Sequence, residues 1–239
     1  MKALSVIIFS ILLSLGACSD KTNFNLKAPI IQPTTVKYNL TYLALGDSYT
    51  IGESVTTYGA FPYQLAAALK TDSVNVQDPK IVARTGWTTS NLINAIKGED
   101  LKPSYDFVTL LIGVNNEYQG TDIEIYKIEF KQLLQTAIQY AGGKPSRVFV
   151  LSIPDWGVTP FAKNDARSPV TIAKEIDAYN AINQQQTADS GANYLDITAI
   201  SRAAATDPTL LASDGLHPSA IMYQRWVSKL APLVKAKLF

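Results

Sequence analysis

From Thr41 onward the chain alternates short, almost wholly apolar runs with longer amphipathic ones. Thr41–Asp47, part of Val74–Thr85, Tyr105–Gly113, Ser146–Pro154 and Ala192–Ile197 read as five strands. Strands that lack polar alternation are buried on both faces, which calls for a parallel sheet covered by helices on each side. Between them, Tyr58–Lys70 sets Phe61, Leu65, Ala68 and Leu69 on one helical face. Thr88–Lys97 opens on capping threonines and carries Leu92, Ile93 and Ile96 at helical spacing. Asp122–Gly143, closed by glycines, Ser168–Gly191, opened by a proline, and Pro218–Phe239 read as three longer helices. The predicted fold is a single-domain, three-layer α/β/α sandwich around a five-stranded parallel sheet, flavodoxin-like, with no internal repeat.

Composition narrows the function classes. The 239 residues carry a formal net charge of +1 and are 47% hydrophobic. That length and apolar content suit one core of about 200 residues, and exclude a largely disordered chain. No basic block or stripe favours nucleic acid. One cysteine and one histidine make neither an intrachain disulfide nor a Cys/His metal cluster. No metal or other cofactor is expected.

The cysteine is Cys18, and its position is informative. Met1-Lys2 is followed by the apolar run Ala3–Leu15, too short for a comfortable membrane span, and then by Gly16 and Ala17. Residues 1–17 read as a signal peptide. Leu15-Gly16-Ala17-Cys18 resembles the lipobox of bacterial lipoproteins, which implies cleavage before Cys18 and a lipid anchor on its sulfur. The expected location is the cell envelope, held to a membrane by this anchor, with plain secretion as the alternative. Residues 18–40, polar with two prolines beyond Ser19, read as a tether of roughly 25 Å root-mean-square span, whose last residues are free to pack on the domain. The folded domain is expected over residues 41–239.

In an open parallel sheet, ligands gather beyond the carboxyl ends of the strands. Four polar clusters map to that rim: Gly46-Asp47-Ser48 after the first strand, Thr85-Gly86-Trp87 after the second, Gly113-Val114-Asn115-Asn116 after the third, and Ser213-Asp214-Gly215-Leu216-His217-Pro218 after the fifth. A serine is a poor nucleophile until a base takes its proton. His217 is the one base of the right kind, and Asp214, three residues earlier, is placed to accept from its Nδ1–H and fix the tautomer. Gly86 can present a backbone N–H closely, and Asn115 can donate from its side-chain amide. With the N–H of Ser48 these are candidate donors to an oxyanion. Asp47 is expected to hold the serine turn.

These blocks together resemble the SGNH hydrolases, the GDSL esterase family. "ALGDSYTIGE", "TGWTT", "LIGVNNEY" and "SDGLHP" match the family's four blocks over roughly Thr41 to the C-terminus. The resemblance implies an esterase that hydrolyses acetyl or short acyl esters of carbohydrates, or lipid acyl esters. Ser48, His217 and Asp214 would form the triad, and Ser48, Gly86 and Asn115 the oxyanion hole. One departure is visible. Many members carry an acidic residue directly after the third-block asparagine, whereas here Asn116 follows and Glu117 comes next. Trp87, Tyr118 and Trp156 lie on rim segments, either lining a site or packing on the core, and the long loop Asp155–Pro169 can shape a pocket. Acyl transfer to another alcohol uses the same residues. A non-catalytic envelope or carbohydrate-binding lipoprotein on this scaffold is the rival class.

Overall fold

The computed structural model describes residues 37–239. The expected signal peptide, Cys18 and most of the expected tether lie outside the described residues. Among the described residues the seven strands are β1 (Tyr38–Leu40), β2 (Tyr42–Asp47), β3 (Val74–Val76), β4 (Lys80–Arg84), β5 (Phe107–Leu111), β6 (Val148–Leu151) and β7 (Asn193–Leu195). Five of them form the expected sheet, all parallel, in the order β4-β2-β5-β6-β7. The central strands β2, β5 and β6 are buried throughout, while the edge strands β4 and β7 are half-buried. Where β2 and β5 lie side by side, the one polar residue inside β5, Thr109, is met by the Tyr42 hydroxyl at 2.7 Å.

The helices are α1 (Ser48–Ile51), α2 (Phe61–Leu69), α3 (Thr89–Gly98), α4 (Val114–Tyr118), α5 (Ile123–Tyr140), α6 (Pro169–Ser190), α7 (Thr198–Arg202) and α8 (Ala220–Leu238). From β2 the chain steps one way through α2 to β4, then back across β2 through α3 to β5 and onward. Right-handed crossovers therefore put α2 on one face and α3, α5 and α6 on the other. The helix contacts agree: α2 packs on α8, and α3, α5 and α6 pack in a row. Phe61 of α2 meets Tyr223 and Trp226 of α8, and Tyr126 of α5 meets Tyr179 of α6, so aromatic rings fill both interlayers.

Two departures from the sequence reading concern edges. Val74–Thr85 holds two strands rather than one. The first of them, β3, pairs in parallel with β1 in a separate small sheet. The folded part thus begins before Thr41, because Leu40, Val74 and Val76 bury their side chains together.

Candidate active site

The strand order reverses at β2, with β4 on one side and β5 on the other, so a crevice opens at their carboxyl ends. Ser48 is the first residue of α1, directly after β2. Asp47 caps that helix: its Oδ1 accepts from the Tyr49 N–H at 3.0 Å, as its expected role requires. Gly46 is obligatory here. A Cβ on it would lie 2.1 Å from Thr50 Oγ1 and 2.4 Å from the Leu111 carbonyl oxygen, so only glycine lets the turn fold back against β5. Burial pushes the Asp47 carboxyl up to about 7, against hydrogen bonds from the Tyr49 N–H and its own backbone.

Across the crevice, Asp214 and His217 sit in a tight loop between α7 and α8, well beyond the end of β7 rather than directly after it. The loop is closed by the Ala212 N–H donating to the His217 carbonyl at 2.8 Å. Asp214 Oδ1 accepts from the N–H groups of Leu216 and His217 at 2.9 and 3.0 Å. Its Oδ2 lies 2.7 Å from His217 Nδ1, and His217 Nε2 lies 2.9 Å from Ser48 Oγ. The three residues named from the sequence thus form one continuous chain spanning 169 positions. Ser48 and His217 are 3% and 7% exposed, so the chain is shielded from bulk water but open to the pocket. Partial burial works to raise the Asp214 carboxyl. Hydrogen bonds from Ser54, from His217 and from the two backbone N–H groups outweigh it and hold the group well below the usual carboxylate range. A carboxylate kept ionised beside Nδ1–H leaves Nε2 as the acceptor facing the serine.

Gly86 and Asn115 line the same pocket. Gly86 has φ +82, and a Cβ there would meet nothing within 4 Å, so this left-handed turn leaves its backbone exposed to the crevice. The Asn115 amide donates one N–H to the Trp87 carbonyl at 3.0 Å, and an amide has a second to offer. Asn116 points elsewhere. It accepts from the Thr89 N–H at 3.0 Å and donates to Thr89 Oγ1 at 2.8 Å, clamping α4 to the start of α3.

The pocket beside Ser48 has a volume of about 130 Å³. Its far wall is aromatic: Trp156 is fully buried, with Tyr118 edge-on at 5.3 Å and Phe161 at 6.0 Å. Trp156 and Tyr118 therefore both pack and line the site, while Trp87 is half-buried against the core and contributes its carbonyl. The acidic residue that departs from the family spacing holds this wall. Glu117 is 3% exposed, accepts from the Trp156 indole N–H at 2.7 Å, and pairs with Arg167 at 2.6 Å. Burial pushes its carboxyl up to about 7, against the Trp156 hydrogen bond and the Arg167 charge and with Glu175 adding to the rise. The Arg167 guanidinium also covers the Trp156 ring at 5.3 Å. The fixed wall was not foreseen, because Glu117 and Arg167 are 50 positions apart and neither carries a local signal.

A larger open groove of about 780 Å³ runs between α5 and α6. It is lined by Lys127, Lys131, Ile128 and Gln186 among others and holds no nucleophile beside a base, so the chemistry belongs to the smaller pocket. Among the described residues no three His, Cys, Asp or Glu side chains are grouped to hold a metal ion.

Comparison with known proteins agrees with this arrangement. The family described as GDSL-like Lipase/Acylhydrolase matches residues 44–225. No curated protein matches the sequence. Similar solved structures include TesA, 16% identical with a TM-score of 0.62, covering 83% of this chain and 99% of that one. Others are the acetylxylan esterase Axe2 from Geobacillus stearothermophilus (17% identical, TM-score 0.60, 85% and 96% covered) and the acetyl xylan esterase AlAXEase (17%, 0.63, 82% and 100%). At these identities the likeness is one of fold.

Proposed function

The chain belongs to the GDSL-like lipase/acylhydrolase family and is a carboxylic ester hydrolase, and from that premise we propose that it cleaves acetyl or other short acyl esters, with a carbohydrate as the alcohol. The observation that carries the acyl preference is the pocket: about 130 Å³ beside Ser48, walled by a Trp156 ring pinned by Glu117 and Arg167. That is roughly the room of four or five waters, enough to hold an acyl group of a few carbons, whereas a longer chain would run out of the pocket without a wall to bury it. The carbohydrate side is supported by two fold relatives named as acetylxylan esterases.

In the proposed mechanism Ser48 Oγ attacks the ester carbonyl as His217 Nε2 takes its proton. The developing oxyanion accepts from the N–H groups of Ser48 and Gly86 and from the Asn115 amide. His217 returns the proton to the leaving alcohol, which departs and leaves the acyl group on Ser48. Water then loses a proton to Nε2, attacks the acyl-enzyme, and frees the acid and the serine hydroxyl. Asp214 fixes the ring and stabilises the imidazolium throughout.

The test is turnover of p-nitrophenyl acetate through decanoate, with acetylated xylo-oligosaccharides alongside. We expect kcat/KM to be highest from acetate to butyrate and at least tenfold lower at decanoate, and Trp156→Ala to move the optimum to longer chains. Ser48→Ala should keep the fold and lose turnover together with labelling by a fluorophosphonate. Best activity on decanoate in the wild type would overturn the short-acyl reading, and an active Ser48→Ala protein the nucleophile.

A further inference from the structure

The hydrogen-bonded chain does not stop at Asp214. Ser54 Oγ donates to Asp214 Oδ2 at 2.6 Å, the same oxygen that faces His217 Nδ1. Ser54 is also the one non-glycine among the described residues with positive φ, at 63°. A side chain is disfavoured there, and glycine would fit without steric strain. A residue held in such a conformation points to a task that its side chain performs.

The surroundings show how the conformation is imposed. Gly52 ends α1 in the left-handed region, and its neighbour Glu53 accepts a hydrogen bond from Thr85 Oγ1 in the loop after β4. The turn is thereby tied down on both sides and turns the Ser54 hydroxyl toward the loop before α8. One short segment thus touches the catalytic chain at both ends, Ser48 at Nε2 and Ser54 at the carboxylate. Water has access to that carboxylate, since the Asp214 side chain is 29% exposed. A hydroxyl delivered by a fixed turn occupies a position that mobile water would otherwise take.

We propose that Ser54 is a positioning residue for the reaction: its hydroxyl fixes the Asp214 carboxylate, and through it the His217 ring, in register with Ser48. The proposal rests on the esterase reading for its catalytic consequence, though not for its effect on the histidine. A hydroxyl that donates to Asp214 Oδ2 shares that oxygen with Nδ1–H. Removing it leaves more of the carboxylate's charge to the imidazolium, so the ring holds its proton to higher pH. The other ionisable groups around the pair are Asp47, Glu53, Tyr49 and Tyr223 on the nucleophile side and Glu117 and Asp155 across the pocket. None of them is hydrogen-bonded to the Ser54 hydroxyl, whose one partner is Asp214.

Two variants separate the hydroxyl from the backbone strain. Ser54→Ala removes the hydroxyl and keeps the disfavoured φ, whereas Ser54→Gly removes the hydroxyl and relieves it. In the full-length protein both should lower kcat roughly 3–10-fold, the scale of one partly exposed hydrogen bond to a charge, with KM little changed. Ser54→Gly should unfold at no lower temperature than the wild type, so its loss of rate is not a loss of folded protein. In both, the acid limb of the kcat/KM profile should move to higher pH. His217 is the only histidine, so its ring resonances can be followed by NMR without assignment. The same upward displacement from the wild type is expected there with no substrate present, which keeps this test separate from that of the esterase reading. Wild-type kcat in both variants, or an unmoved His217 titration, would overturn the proposal.

Discussion

At the residue scale the most discriminating position is Asn115. Its amide lines the pocket with one N–H committed to the Trp87 carbonyl. If the other N–H meets the oxyanion, Asn115→Ala lowers kcat by about 10²–10³-fold with little change in KM, because the bond strengthens only as charge develops. A residue that merely held the loop after β5 would instead cost about 1 kcal/mol of stability and leave the rate per folded molecule intact. Measuring kcat and thermal unfolding on one preparation separates the two, and a destabilised but fully active variant removes Asn115 from the oxyanion hole. This residue was legible in the sequence, as were Ser48 and Gly86, because each sits in a short block at a strand end; Asp214 and His217 were legible as one compact block, which the structure puts in the loop between α7 and α8. Ser54 was not. A serine in a polar turn has no pattern, and its meaning lies in a left-handed φ and a partner 160 positions away.

At the scale of elements, the junction between β2 and α1 stores a cost. Asp47 caps α1 from a site that is almost wholly buried, and burial pushes its carboxyl up to about 7. An acid with a raised folded pKa binds more protons folded than unfolded. The contribution is therefore most favourable below the unfolded value of about 4, and is lost as pH rises from there through about 7. Asp47→Asn keeps an acceptor for the Tyr49 N–H and removes the ionisation. We expect its Tm relative to the wild type to rise between pH 4.5 and pH 8. A constant difference across that range would show that Asp47 is solvated in the folded state. Longer elements were legible from period and length, since β2, β5 and β6 are continuous apolar runs and α5, α6 and α8 carry many turns of helical spacing. The short helices α1, α4 and α7 were not, because four or five residues hold too little periodicity to mark a helix. Nor was β1 legible: three residues at the end of a polar segment become a strand only because β3 is there to pair with them.

At the scale of the whole molecule, the pocket and the start of the described chain lie at opposite ends of the sheet. The site lies at the carboxyl ends of β2, β4 and β5, whereas the chain enters through β1, which leads directly into the amino end of β2. Phe239 packs on Tyr38 at that same end, with ring centroids 5.5 Å apart. Among the described residues no helix is long and apolar enough to cross a membrane, and the membrane attachment we propose is through a lipid on Cys18. The residue that would carry the lipid lies outside the described residues, and the described chain begins at the end of the sheet opposite the pocket. Anchoring and catalysis should therefore be separable by one substitution. Cys18→Ser should move the protein from the membrane fraction to the soluble one, while kcat/KM on a soluble ester such as p-nitrophenyl acetate stays within about twofold, as expected where two changes do not couple. Fractionating cells that express each form, and assaying both fractions, reads the two effects together. A Cys18→Ser protein that remains with the membrane would refute the anchor, and one that is released but loses its ester turnover would show that the lipid acts on the site as well as on location.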